Sequence, residues 1–132
     1  MSVYTKLNGT TTDAFKIGLK NERITLTGIT VNDNTTTLLN RDNQKYTAES
    51  TVFFTAYVIG RSITNTAAYE IKGCYLNGTT TVTGYVVNTY VDTASFTDPT
   101  MSFDNSGELT VQCTGIAGDT VNWTASIDFV MV

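Results

Sequence analysis

The chain has 132 residues, which is the size of one ordinary domain and enough to bury a core without disulfides or metals. Its formal net charge is −4 and its few Lys and Arg residues form no cluster, which disfavours nucleic acids and anionic membranes as partners. Thr is the commonest residue, and Thr, Val, Tyr, Phe and Ile suit a pleated sheet, so the composition predicts an all-β protein. No apolar run reaches the ~20 residues of a membrane span and the first residues lack a signal-peptide pattern, so we expect neither feature.

The first 20 residues predict an N-terminal arm, and residues 21–132 predict a single β-sandwich domain. The arm contains an Asn8-Gly9 pair between short extended stretches, and that dipeptide favours the tight turn of a hairpin. Because few apolar side chains accompany it, we expect the arm to lie at the surface rather than in the core.

A first strand of the domain is predicted where Ile24 and Leu26 alternate with polar residues. Glycine inside a strand often marks a bulge, so Gly28 permits one that would shift the register before Ile29 and Val31. Residues 23–31 are therefore predicted to form a strand that can contain a bulge at Gly28.

Residues 32–50 are polar and rich in Asn, Asp and Thr, which predicts a long surface loop with at most a short strand. Their apolar groups, such as Leu38 and Tyr46, are too few to order the segment, so we expect it to be mobile in the free protein. Loops of this length in small domains are usually functional, and we expect residues 32–48 to contact a partner.

The middle of the chain predicts three further strands. Residues 52–59 are apolar on both faces, which is typical of a central strand covered on two sides or of one that joins an intersubunit surface. Residues 67–76 alternate between apolar and polar, and Asn77-Gly78 then gives the clearest hairpin signal in the chain. A Thr- and Val-rich strand is predicted over residues 80–91.

Residues 107–132 predict a two-strand hairpin, because apolar and polar residues alternate on both sides of a Gly- and Asp-containing turn at residues 115–119. One apolar face must pack on another layer, and Trp123 is the largest side chain available to bury there. With about seven to nine short strands in all, the pattern predicts an antiparallel β-sandwich or jelly-roll-like domain. The predicted core comprises Phe54, Ile71, Leu109, Val111, Val121, Trp123 and Ile127.

Catalytic and metal-binding sites are not predicted. The chain has no His, so a Ser or Cys nucleophile would lack its usual base. Five acidic residues in or beside turns could form a glycosidase pair, but such residues more often accept hydrogen bonds from their own backbone. These five are Asp92, Asp98, Asp104, Glu108 and Asp119. Asp33 and Asp42 could bind calcium, but they do not have the spacing of a calcium-binding loop.

Two residue types keep alternative interpretations. Cys74 and Cys113 lie in predicted strands without CxxC or Cys/His spacing, which favours buried free thiols; a disulfide that joins two strands is the alternative. Several tyrosines could stack on sugars, although aromatic residues on strands more often pack in the core or at a subunit interface. These tyrosines are Tyr57, Tyr69, Tyr75, Tyr85 and Tyr90.

Two stretches resemble the C-terminal β-domain of tailed-bacteriophage virion proteins. Residues 68–73 read Ala-Tyr-Glu-Ile-Lys-Gly, which is similar to an "AYE-[IF]-KG" strand of those proteins. Residues 107–125 are similar to their final "L-x-V-x-x-TG-x-AG-x-T-[IV]-x-W-x-A" segment, with Trp123 in the place of its tryptophan. The resemblance covers about residues 50–132, and its motifs are structural, because they consist of turn residues, strand alternation and a core tryptophan.

The resemblance implies a non-enzymatic virion structural protein, made in the host bacterial cytoplasm, without cofactor or metal. The first expectation is a capsid decoration, or cement, protein, a homotrimer on the outer surface of the head that binds the major capsid protein and stabilises the shell. The alternative is a small tail-fibre or receptor-binding module that recognises a host surface glycan. We expect residues 4–18 and 32–48 to contact the capsid by strand addition, and the turn at residues 115–119 not to do so.

Overall fold

The structure is a computed structural model that describes residues 15–17 and 21–131. Within those residues it contains ten strands and no helix, so the expected all-β class is confirmed. No helix in this part of the chain is long and apolar enough to cross a membrane. The Asn8-Gly9 turn and most of the predicted arm lie outside the described residues. The strands are β1 (Phe15–Ile17), β2 (Asn21–Val31), β3 (Thr35–Thr37), β4 (Tyr46–Ala48), β5 (Val52–Arg61), β6 (Thr66–Tyr75), β7 (Val82–Asp92), β8 (Thr100–Phe103), β9 (Leu109–Thr114) and β10 (Thr120–Met131).

Two antiparallel sheets form the expected β-sandwich. The larger sheet has the strand order β2-β10-β5-β6-β7, and the smaller sheet has the order β3-β9-β8. Aromatic rings from the two sheets meet between them: Phe103 of β8 stacks on Tyr75 with ring centroids 4.2 Å apart and lies 5.8 Å from Phe54. The short strands β1 and β4 pair in parallel as a separate two-stranded sheet.

The inward side chains of both sheets form the hydrophobic core. Strict alternation along β5 and β10 places every second residue of these strands in the core, as period-2 patterning requires. All of the predicted core residues are buried, namely Phe54, Ile71, Leu109, Val111, Val121, Trp123 and Ile127.

The expected hairpin of residues 107–132 is wrong, because its two strands do not pair. Strand β9 belongs to the three-stranded sheet and β10 to the five-stranded sheet, so the chain crosses the core as an arch. Alternation gives each strand one apolar face but does not say whether two such strands pair edge to edge or face each other. Gly115 permits the crossing, since a Cβ there would lie 2.5 Å from Oγ1 of Thr30 on β2.

The expected bulge at Gly28 is also absent. Strand β2 pairs with β10 in one continuous register along its whole length. Ile29 and Val31 therefore point outward and are exposed, while Thr30 between them is buried. The glycine is needed for packing instead, since a Cβ on Gly28 would lie 2.7 Å from Cδ2 of the buried Leu38.

Residues 32–50 differ from the expected mobile surface loop. Strand β3 pairs with β9, and β4 pairs with β1. Leu38, Tyr46 and Ala48 are buried in the core, and the backbone N–H of Leu38 donates a 2.8 Å hydrogen bond to the carbonyl of Val111. A few well-spaced apolar residues suffice to order the segment, because they pack into the hydrophobic core.

The hairpin between β6 and β7 is confirmed. Gly78 has a φ of 80°, a conformation that glycine adopts without strain. The backbone N–H of Leu76 donates to the carbonyl of Thr81 at 3.1 Å, and that of Thr79 donates to the carbonyl of Leu76 at 3.2 Å. Strand β7 follows directly and forms one edge of the five-stranded sheet.

Candidate interaction surface

The side of the five-stranded sheet that faces away from the three-stranded sheet, here called the outer face, is open to solvent. Its central strand β5 directs Phe53, Tyr57 and Ile59 outward, and these side chains are 52%, 49% and 49% exposed. The sequence predicted an apolar character on both sides of this strand, and the structure covers only one side. Several large apolar side chains exposed on one side of a sheet mark a candidate interaction surface.

Two tyrosines flank a shallow trough at the centre of the outer face. Tyr57 and Tyr90 form its sides, and Ile59 and Ala68 lie between them as register partners on β5 and β6. This tyrosine trough depends on a bulge in β7: Ala68 pairs with Val91 and the next residue of β6 pairs with Thr89, so Tyr90 is the extra residue. Its hydroxyl donates a 3.3 Å hydrogen bond to Glu70.

The charges on the outer face are largely compensated within the chain. Arg23 of β2 and Asp128 of β10 form a two-pronged pair, with Nε–Oδ1 and Nη2–Oδ2 distances of 2.6 and 3.0 Å. The hydrogen bond from Arg23 lowers the pKa of the Asp128 carboxyl. Nζ of Lys72 lies 3.7 Å from Oε1 of Glu70 on the same strand. The face therefore presents paired charges around an apolar centre.

The other candidate tyrosines serve the fold. Tyr69 and Tyr75 are buried in the core, and burial raises the pKa of the Tyr69 hydroxyl. The hydroxyl of Tyr85 accepts a 3.0 Å hydrogen bond from the backbone N–H of Met101, which ties β7 to β8. Tyr57 and Tyr90 are thus the two of the five whose rings line the trough on the outer face.

Three of the candidate acidic residues accept hydrogen bonds in turns. Asp92 accepts from the backbone of residues 94 and 96, and Asp104 accepts from the backbone of residues 106 and 108. Asp119 accepts from the Ser62 hydroxyl at 2.6 Å and from the Asn65 amide at 3.1 Å, and these bonds lower the pKa of its carboxyl.

The remaining acidic candidates are dispersed over the surface. Glu108 forms an ion pair with Lys45 at 3.1 Å. Asp33, Asp42 and Asp98 are exposed in the segments that connect strands. Among the described residues, no group of three His, Cys, Asp or Glu side chains is placed to hold a metal ion.

Both cysteines are free thiols, and the alternative of a disulfide between them is not found. Cys113 is buried on the inner side of β9, and burial raises the pKa of its thiol to about 12. Cys74 is half-buried and lies on the outer face beside Phe53, its register partner. The five-stranded sheet thus separates the two sulfur atoms.

Sequence reasoning missed two features of the larger sheet. Thr30 is buried and its hydroxyl accepts a hydrogen bond from Trp123, whereas a bulge at Gly28 was expected to shift the register of the residues that follow it. The bulge that brings Tyr90 to the outer face lies in β7, where alternation gave no warning. One signal was available: Ile29 and Val31 are out of phase with Ile24 and Leu26, as expected for a strand with apolar residues on both sides.

No protein-family model matches the chain. No curated protein matches its sequence. Among solved structures, the chain is similar to the tailspike protein of the Acinetobacter phage vB_ApiP_P1, with a TM-score of 0.36 and 7% sequence identity. That likeness covers 98% of this chain and 25% of the tailspike chain, so the chain spans about a quarter of the tailspike's length.

Proposed function

We propose that this chain is a structural protein of a tailed-phage virion and, more specifically, a capsid decoration protein that binds the outside of the head and stabilises it. The observation that carries the proposal is the open outer face with its half-exposed Phe53, Tyr57 and Ile59. Large apolar side chains exposed together on one face are typical of proteins that work by assembling with other proteins.

The residues that resemble phage virion proteins support the same function through their structural roles. Residues 68–73 lie in β6, in the middle of the larger sheet, and residues 115–119 form the arch between β9 and β10. Asp119 in the arch binds Ser62 and Asn65 of the turn between β5 and β6. The motifs therefore stabilise the sandwich, which agrees with a structural role for the protein.

We propose that residues 4–18 and 32–48 make the capsid contact, and the described parts of these segments meet at the side of the sandwich where β1 and β4 pair. Strand β4 pairs with β1, and Thr47 of β4 also forms a bridge with Glu108. An arm that enters the domain through strand pairing can extend the same backbone pairing to a neighbouring protein. Because such a contact rests on backbone hydrogen bonds and apolar burial, moderate salt weakens it little.

The test is deletion of residues 2–12, followed by measurement of the occupancy of the protein on phage heads that lack it. We expect the deletion to abolish occupancy, and wild-type protein to stay bound in ~0.5 M salt, where exposed charge pairs are screened. Ala117→Lys, at an exposed position in the arch, is the control and should bind as the wild type does. Full occupancy after the deletion would overturn the proposed capsid contact.

A second candidate function, a tail-fibre or receptor-binding module for a host glycan, is favoured by the tyrosine trough. Tyr57 and Tyr90 present rings on which sugars can stack, and the side chains of Thr124 and Ser126 add hydroxyl groups to the trough. Cryo-electron microscopy of the virion distinguishes the two functions: density on the head supports decoration, and density on the tail supports receptor binding.

A further inference from the structure

The outer face has the size of a protein–protein interface. Its five strands are 10 to 12 residues long. At the usual strand spacing and rise, the face measures about 24 by 33 Å, or roughly 800 Å². That is about the area that each partner contributes to a standard protein–protein interface. The face is therefore far larger than a trough for one small ligand requires.

Its exposed apolar side chains lie on four of the five strands, β2, β10, β5 and β7. Tyr57 and Ile59 lie on β5, Tyr90 and Val91 lie beyond β6 on the edge strand β7, and Ile29 lies across the sheet on β2. Phe53 and Val130 form a second apolar group as direct register partners on β5 and β10. A partner that covered the whole face would bury all of these groups together, which favours association.

The charge distribution points to what this partner is. The Arg23–Asp128 pair and the Glu70–Lys72 pair lie on this face, and each is neutral as a pair. Among the described residues of this face, Arg61 at the end of β5 is the remaining charged side chain. A second copy of the same face therefore brings an excess of only one positive charge, so two such faces meet with little net repulsion. A strongly charged partner would find no complementary field here.

We propose that the outer face is the surface through which copies of this chain associate with one another. The tyrosine trough lies near the centre of this interface, where aromatic side chains contribute most to affinity. The capsid contact proposed above uses the side of β1 and β4, so self-association leaves it free. The inference does not depend on the virion proposal, because it is measured on the purified protein.

The experiment is analytical ultracentrifugation of purified wild-type, Ile59→Lys and Ile63→Lys proteins over a range of concentrations. Ile59 is on the outer face, whereas Ile63 is fully exposed in the turn after β5, so the two variants add the same charge inside and outside the interface. We expect the wild type and Ile63→Lys to form the same oligomer. We expect Ile59→Lys to raise the dissociation constant at least about tenfold, because the buried ammonium group would lack a partner.

The measured mass also decides between the predicted homotrimer and a two-fold dimer, and either supports the interface if Ile59→Lys dissociates it. Tyr90→Lys, at a more exposed position on the edge strand β7, provides a second variant if Ile59→Lys does not fold, as judged by circular dichroism. A strictly monomeric wild type at ~100 µM, about a hundredfold above a micromolar dissociation constant, would overturn the proposal. Equal dissociation by Ile63→Lys would overturn it as well.

Discussion

The indole N–H of Trp123 donates a 3.0 Å hydrogen bond to the hydroxyl oxygen of Thr30, and each residue is only 1% exposed. The two residues lie on the neighbouring strands β10 and β2. Phe96 packs edge-on against the indole, with ring centroids 5.5 Å apart and an interplanar angle of 84°. The largest side chain of the core therefore has its apolar surface packed and its polar atom satisfied.

Trp123→Ala should lower the free energy of unfolding by ~3–5 kcal/mol, because it removes the largest core side chain and leaves a cavity. Thr30→Val should cost about 1–3 kcal/mol, since it keeps the volume but leaves the buried indole N–H without an acceptor. Chemical denaturation measures both. Thr25→Val, the same change at an exposed position of β2, is the control and should stay within ~0.5 kcal/mol of the wild type. If Trp123→Ala had the same free energy of unfolding as the wild type, that result would contradict the proposed core.

Gly60→Ala should destabilise the fold, although the same change usually stabilises a strand. A Cβ on Gly60 would lie 2.5 Å from Cζ3 of Trp123, closer than real Cβ atoms approach, so the indole would have to move. We expect a loss of about 1–3 kcal/mol, as for other overpacked cores. In the Trp123→Phe background the smaller ring leaves room, so the cost should fall, and a double-mutant cycle measures the difference. Equal costs in both backgrounds would show that the indole is not the obstacle.

The Asp119 carboxyl should contribute to stability above its ordinary pKa and not in strong acid. Hydrogen bonds from Ser62 and then Asn65 lower its pKa below the ordinary 3.8 in the folded state. A lowered folded pKa means that the stabilisation is present above the ordinary value and is lost as the pH falls through the folded value. Asp119→Asn should therefore be less stable than the wild type near neutral pH, and the difference should shrink in acid.

Urea denaturation at a series of pH values measures this difference. Asp33→Asn makes the same substitution at an exposed position in a turn and should show no comparable trend. If the difference between Asp119→Asn and the wild type were independent of pH, the two hydrogen bonds would not be coupled to the ionised carboxylate.

The sequence was sufficient to predict what depends on local periodicity. Alternation identified the long strands and placed Trp123 and Ile71 in the core, because the side chains of a strand alternate between its two faces. It could not assign β9 and β10 to opposite sheets, since pairing depends on contacts with strands far away in the chain. Nor could it place Tyr90, which reaches the outer face through a bulge that is visible only in the register of β7 with β6.

The two thiols should differ sharply in their reactivity towards iodoacetamide. Cys113 is 1% exposed and burial raises the pKa of its thiol to about 12, so almost none of the reactive thiolate forms near pH 8. Cys74 is partly exposed on the outer face. In the native protein we therefore expect alkylation of Cys74 alone, followed by modification of both cysteines after unfolding in guanidinium chloride. Peptide mass spectrometry assigns the sites.

The same reaction reports on the outer face, because self-association would cover Cys74 but would not affect the already buried Cys113. Alkylation of Cys74 should slow as the protein concentration rises in the wild type, and it should be independent of concentration in Ile59→Lys. Cys113→Ser serves as the matched control, since it leaves a single reactive site and should give the same rates for Cys74. Rapid native labelling of Cys113 would contradict its position between the two sheets, on which the arch from β9 to β10 depends.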